Sequence, residues 1–317
     1  MPAAPSANAQ ETADEVVAAH AGADDAMTNV PPPRTITADL EDLFQRLSGI
    51  ASFPVVARRV LEVAGKDDCT ATDLLEVIEQ DQVLAMKILQ TVNSSYYGLP
   101  NEVADLRRAI TLLGVKQVRN MAMTVIVGRH LTLAPAGAMI DPVRMWDHSV
   151  CTAAACRIIA ERTKSADPEE AYLAGLIHDS GLLVIDQKLR ERMPNISKRY
   201  QATRDWMAAE QEVLAFDHAQ LGAYIAWRSG FPHRLVAAVD YHHSPTDAEG
   251  DIAALASVVS VANYLVSRLG RSAMAERRLA PPLEVTFDRL NLTRHSVRDL
   301  WADLEQMLEN VGALKAV

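Results

Sequence analysis

The 317-residue chain is poor in cysteine, in aromatic residues and in positive charge, and each shortage closes off a class of protein. Its three cysteines, Cys69, Cys151 and Cys156, form no CxxC pair and leave an odd one over, so a disulfide framework is not expected. A reducing compartment with small buried thiols at Cys151 and Cys156 fits better. Lys and Arg number 31 against 41 Asp and Glu, a formal charge of −10, which opposes the counterion release that nonspecific nucleic-acid binding needs. The N-terminus lacks a basic region followed by an apolar core, so no secretory signal is indicated. No uninterrupted apolar run approaches the roughly 20 residues of a membrane span. A soluble, cytoplasmic protein is expected. Aromatics make up only 5% of the chain, and no alternating run is long enough to announce a sheet.

What is abundant is Ala, Leu and Val in helical spacing, and the fold expected is all-α. Residues 1–35 hold five acids (Glu11, Asp14, Glu15, Asp24, Asp25), one base (Arg34) and Pro31-Pro32-Pro33, which reads as a disordered acidic tail. From Thr37 the pattern turns helical, through Leu40, Leu43, Phe44 and Leu47. Further helices are expected from Pro54 to Gly65, Thr72 to Gln80, and Val83 to Val92 with Asp81 as cap. After a turn-rich break from Asn93 to Pro100 come Asp105 to Leu113 and Val115 to Leu131. Leu133 to Pro142 reads as a junction. Beyond it lie helices over Trp146–Glu161, Ala219–Arg228, Leu235–Tyr241, Ile252–Leu269 and Thr293–Val311, the last closed by Gly312. Two helical subdomains, 36–135 and 136–317, follow the acidic tail.

The second part is organised around Ala171 to Asp186, an apolar run carrying His178 and Asp179 side by side. His148, His218, His242 and His243 sit in comparable helical segments. Five histidines and one aspartate from four segments point to a convergent cluster. Buried polar groups need partners, and both a hydrogen-bonded polar core and a metal site would supply them. His20, His130, His233 and His295 read as surface or loop residues. Asn93-Ser94 reads as a helix terminator, and Tyr96 and Tyr97 as packing between the subdomains. Arg107, Arg108, Arg119 and Arg129 read as solvated helix faces.

Several motifs, in this order, resemble the HDOD family, a regulatory branch of the HD metal-dependent phosphohydrolases. The first half contributes Phe53-Pro54-Val55-Val56, Asp81-Gln82-Val83-Leu84-Ala85, Ile88-Leu89, Asn93-Ser94, Ala109-Ile110 and Leu113-Gly114. The second contributes Trp146-Asp147-His148-Ser149, Ala174 to Gly181, Phe216-Asp217-His218, Leu221-Gly222-Ala223 with Trp227, and Tyr241-His242-His243. The resemblance spans about Leu47 to Leu265 and implies an HD-like second subdomain. It implies that His148, His178 and Asp179 match the metal ligands of catalytic relatives. His218, His242 and His243 match the further histidines of two-metal members such as HD-GYP phosphodiesterases. A divalent transition metal (Fe, Mn, Ni or Zn) is the implied cofactor.

Two positions depart from the catalytic pattern. Where those relatives carry a later ligand Asp, this chain has Asn263, a poorer donor to a cation. Where HD-GYP enzymes carry a phosphate-holding Lys, it has Leu182. The Gly-Tyr-Pro signature is also absent, the nearest stretch being His243-Ser244-Pro245. The expectation is therefore a non-catalytic bacterial signalling module acting through protein partners, with a nucleotide second messenger as a further ligand. The first half, which has no residues arranged for chemistry, would supply the partner surface. The rivals are a metal-dependent phosphohydrolase or cyclic-dinucleotide phosphodiesterase, and a sensor that binds a nucleotide without cutting it.

Overall fold

The computed structural model describes residues 53–315 apart from Asp67, Ser95, 133–138 and 275–278, together with Pro32, Pro33, Glu41 and Leu43; the side chains of 130–132 and 310–315 are also outside it. The expected acidic tail, apart from Pro32 and Pro33, and most of the helix expected after Thr37 fall outside the described residues.

Among the described residues the chain is all helix, with no strand. The first five helices are α1 (Val55–Ala64), α2 (Ala71–Ile78), α3 (Gln82–Val92), α4 (Leu106–Leu113) and α5 (Val115–Thr132). Local chemistry sets their starts. Thr70 and Asp73 form a reciprocal capping box on α2, and Asp81 and Asp105 cap α3 and α4. Gly114, at φ +85°, turns the chain from α4 into α5, a conformation glycine adopts without strain. α5 then runs as a spine against α1, α2, α3 and α4.

The second group begins with α6 (Pro142–Thr163), α7 (Pro168–Ile177) and α8 (Ser180–Lys188). A short 3₁₀ turn at Arg190–Arg192 leads to α9 (Met193–Thr203), α10 (Trp206–Leu214), α11 (His218–Arg228) and α12 (His233–Tyr241). α13 (Gly250–Arg268), α14 (Glu284–Arg289) and α15 (Arg294–Lys315) complete the chain. α6 and α7 pack along each other, α13 lies against both, and α11 bridges α8 and α12.

Several boundaries differ from those read in the sequence. α6 starts four residues early because Asp141 caps it and Pro142 fits its first position, so Pro142 opens a helix instead of ending a junction. The charged stretch after Gln187 contains α9, and α14 has too few residues to show a period. α15 runs through Gly312 to Lys315. α13 is long and apolar enough, by length and composition, to cross a membrane, although no such run was expected; 61% of its most apolar 18-residue stretch is buried inside the protein.

One continuous apolar core runs from Leu43 to Leu308 and joins both groups. Two seams knit them. At one, the Phe53 and Phe231 rings lie 4.7 Å apart and the Phe53 N–H donates to Ser229 Oγ at 3.1 Å. At the other, Arg157 lies over the Tyr172 ring at 4.4 Å and pairs with Glu169 at 2.8 Å, while Asn120 of α5 donates to Glu169. Tyr96 and Tyr97 interact with Arg157 here, and burial raises both phenol pKa values, as packing between the groups requires. The arginines expected on solvated faces divide. Arg107 and Arg108 are exposed, whereas Arg119 contacts the Glu169 carbonyl and Arg129 pairs with Asp81.

Candidate metal centre

The apolar run from Ala171 is two helices, with His178 and Asp179 at the corner between them. His178 caps the end of α7 and Asp179 precedes α8 in the bridge region, at φ −96° and ψ 13°. Two glycines allow this corner its neighbours. A Cβ on Gly175 would sit 2.7 Å from Cys156 Sγ and 3.0 Å from the Ala153 Cα, so α7 lies directly on α6. A Cβ on Gly181 would sit 2.0 Å from the His218 carbonyl oxygen, so the start of α8 abuts the start of α11. Asp217 caps α11 in a box with Gln220, which fixes His218 as its first residue. His242 ends α12 and His243 follows it; His148 comes from the second turn of α6.

All five histidines gather around the Asp179 carboxylate. Oδ2 lies 3.3 Å from His148 Nε2 and 3.3 Å from His178 Nε2. Oδ1 lies 3.2 Å from His218 Nε2 and 3.5 Å from His242 Nε2. The Nε2 atoms of His148 and His178 are 3.3 Å apart, and those of His218 and His243 are 3.1 Å apart. Asp179 thus faces two donor groups, one with His148 and His178, the other with His218, His242 and His243. Except for His243, which is half-buried, every member is shielded from solvent.

For three of the rings the far side fixes the tautomer. His148 Nδ1 lies 2.6 Å from the Arg271 carbonyl, His178 Nδ1 2.8 Å from that of Gly175, and His242 Nδ1 2.6 Å from that of Val239. A carbonyl oxygen only accepts, so Nδ1 carries the hydrogen and Nε2 presents its lone pair to the centre when the ring is neutral. Burial holds the His178 pKa below its ordinary value and pushes that of His242 down to about 4, so both rings are neutral near pH 7. His242 Nε2 has no hydrogen-bond partner. Lone pairs facing lone pairs and a carboxylate at this range repel one another, and a cation between them removes the conflict. The 3.1–3.5 Å separations match those of donors about 2.0–2.2 Å from a shared ion. Imidazole with carboxylate suits divalent transition metals, so the residues present fit the implied group.

Sequence reasoning missed two supports. Glu210 of α10 is fully buried; its Oε2 lies 2.6 Å from His218 Nδ1 and its Oε1 accepts from Trp206 Nε1 at 2.6 Å. A carboxylate behind a histidine orients it and strengthens it as a donor. The only signal was one of two acids, Glu210 and Glu212, in a mostly apolar helix. Arg271 anchors α6 twice, its carbonyl taking His148 and its guanidinium holding Asp147 at 3.0 Å.

Asn263 lies on the wall of an adjoining pocket and accepts a hydrogen bond from Ser267 at 3.4 Å. Leu182 is fully buried in the apolar core. His233 is half-buried at the start of α12, not on a loop, while His295 is exposed as expected. The side chain of His130, and all of His20, fall outside the described residues.

The HDOD domain profile matches residues 50–245, more than half of the chain. The protein belongs to the HDOD domain family. In this HDOD protein His148, His178, Asp179, His218, His242 and His243 all lie inside the matched segment, and Asn263 lies beyond it. A curated relative, an uncharacterized protein of Treponema pallidum (strain Nichols), is 24% identical over 224 residues; the alignment covers 70% of this chain but only 43% of that protein.

Solved structures confirm the fold. A candidate phosphohydrolase from Shewanella amazonensis SB2B is similar with TM-score 0.70 and 22% identity, covering 88% of this chain and 98% of its own. An HDOD domain protein of unknown function from Geobacter sulfurreducens gives 0.70 and 21%, covering 88% and 96%. A candidate signal transduction protein from Marinobacter aquaeolei VT8 gives 0.69 and 23%, covering 94% of this chain and 66% of that one.

The HDOD centre opens on one side. A pocket of about 480 Å³ lies against His242, His243 and Asn263, walled by the α9–α10 turn, the segment after His243 and residues 279–283. Among the described residues, this pocket is where a small molecule would meet His242 and His243.

Proposed function

We propose that this HDOD protein is a bacterial signalling module that holds divalent metal between α6, α7, α11 and α12 and binds a small ligand beside it without efficient turnover. The observation that carries the metal reading is the Asp179 carboxylate facing two separate histidine groups. His148, His178 and Asp179 would hold one ion, and Asp179, His218, His242 and His243 a second. Bound there, such ions polarise ligand oxygens and lower the pKa of water. The chain itself excludes bulk water from the first group, orients His148, His178, His218 and His242 through their Nδ1 atoms, and leaves access at His243.

Weak turnover follows from two side chains. Leu182 is buried where a phosphate-holding ammonium would stand, and Asn263 offers a neutral amide already engaged by Ser267. Signalling through protein partners, in the cytoplasm, is the role this chemistry leaves, with the first group of helices as the partner surface.

The rival reading, a phosphohydrolase, is favoured by the completeness of the donor set. Metal-loaded protein incubated with cyclic dinucleotides and nucleoside phosphates separates them. The regulatory reading expects no hydrolysis above a His178→Ala control. Turnover that the control abolishes would establish the enzyme.

A further inference from the structure

The pocket beside His242 and His243 carries polar groups that the metal centre does not use. Arg204 is the only lysine or arginine among its described lining residues. It ends α9 in the left-handed conformation, at φ +60°, where the chain turns directly into α10. Its guanidinium makes no hydrogen bond or ion pair with the described residues. On another wall Thr286 is 1% exposed, and its hydroxyl has no hydrogen-bond partner. That hydroxyl is held in place because Arg289 ties α14 to the Pro245 carbonyl at 2.7 Å and to Ser257 at 3.4 Å. A buried hydroxyl without a partner is costly, and Thr286 is one of the residues that wall this pocket. Met207, Tyr264, Pro281 and Pro282 give the remaining wall an apolar character suited to a ring.

We propose that Arg204 and Thr286 are the ligand-recognising residues of this pocket, selecting a phosphorylated small molecule whose anionic group meets Arg204 and whose hydrogen-bonding group meets Thr286. A planar guanidinium pairs with phosphate oxygens through two parallel N–H donors, which an uncharged ligand cannot exploit. Asp205 and Asp247 line the same pocket and disfavour an anion elsewhere in it. Asp205 is already engaged, accepting from the Ala208 N–H as the cap of α10. The assignment rests on the ligand-binding part of the proposed function and stands apart from the metal.

Titration calorimetry on the full chain, metal-loaded and after chelation, tests it with adenosine 5′-monophosphate and adenosine as probes. The monophosphate should bind at least about tenfold more tightly than adenosine. Arg204→Gln should remove that difference, Arg204→Lys should restore part of it, and Thr286→Val should weaken both probes about three- to tenfold. Equal affinity for the two probes, wild-type affinity in both Arg204→Gln and Thr286→Val, or no binding of the monophosphate to metal-loaded protein would overturn the proposal. Arg204-dependent binding to protein that takes up no metal would uphold it while removing the metal centre. Stoichiometric metal with indifference to the monophosphate would do the reverse.

Discussion

At the scale of single residues, the centre depends on histidines kept neutral by burial and aimed by their far nitrogens. His242 makes this measurable. In the unfolded chain it takes a proton near pH 6.5, while in the fold burial lowers its pKa to about 4. Between these values the unfolded state holds more protons, so stability falls as pH drops through that window and is fully kept above it. Burial shifts His178 in the same direction. Chelated protein should therefore lose stability from about pH 6.5 down to about pH 4 in urea titrations, and His242→Gln should flatten that slope. An unchanged slope in the variant would place the sensitivity elsewhere. The six converging residues were legible because His and Asp stand out in apolar helices. Glu210 was not, because α10 carries Glu210 and Glu212, and no local pattern says that Glu212 faces water while Glu210 stands behind His218.

At the scale of elements, the site is built by close helix approach rather than by loops. The start of α8 sits so near α11 that Gly181 has no room for a side chain, its nearest obstacle being the His218 backbone. Backbone cannot rotate aside as a side chain can, so Gly181→Ala should cost about 3 kcal/mol and separate Asp179 from His218. Urea unfolding checks the first effect, and metal retention the second. A variant with wild-type midpoint and metal content would show that this approach is not what assembles the centre. The cap drawn from the sequence, Asp81, holds in the structure, and Thr293 caps α15 by accepting from the Ser296 N–H. Boundaries failed where helices begin at a proline, as α6 does, or where two helices abut. The Ala171–Asp186 run hides its corner because no glycine or proline stands at His178-Asp179; tertiary packing of Gly181 on α11 makes the break.

At the scale of the whole molecule, one core spans both groups of helices, and the Arg157–Glu169 seam lies near the start of α7, the helix that ends at His178. All-helical architecture was readable from composition and period alone. How the groups share a core was not, since residues such as Tyr96 and Arg157 meet across about 60 positions of sequence, which no local pattern encodes. What the centre does depends on whether Asp179 and its histidines hold metal. The direct measurement is elemental mass spectrometry of the chain purified without chelator, alongside Asp179→Asn. One to two equivalents of a transition metal in the native chain, lost in the variant, is the predicted result. No metal in either, with stability indifferent to added Mn, Fe, Ni or Zn, would contradict it and leave a hydrogen-bonded polar core.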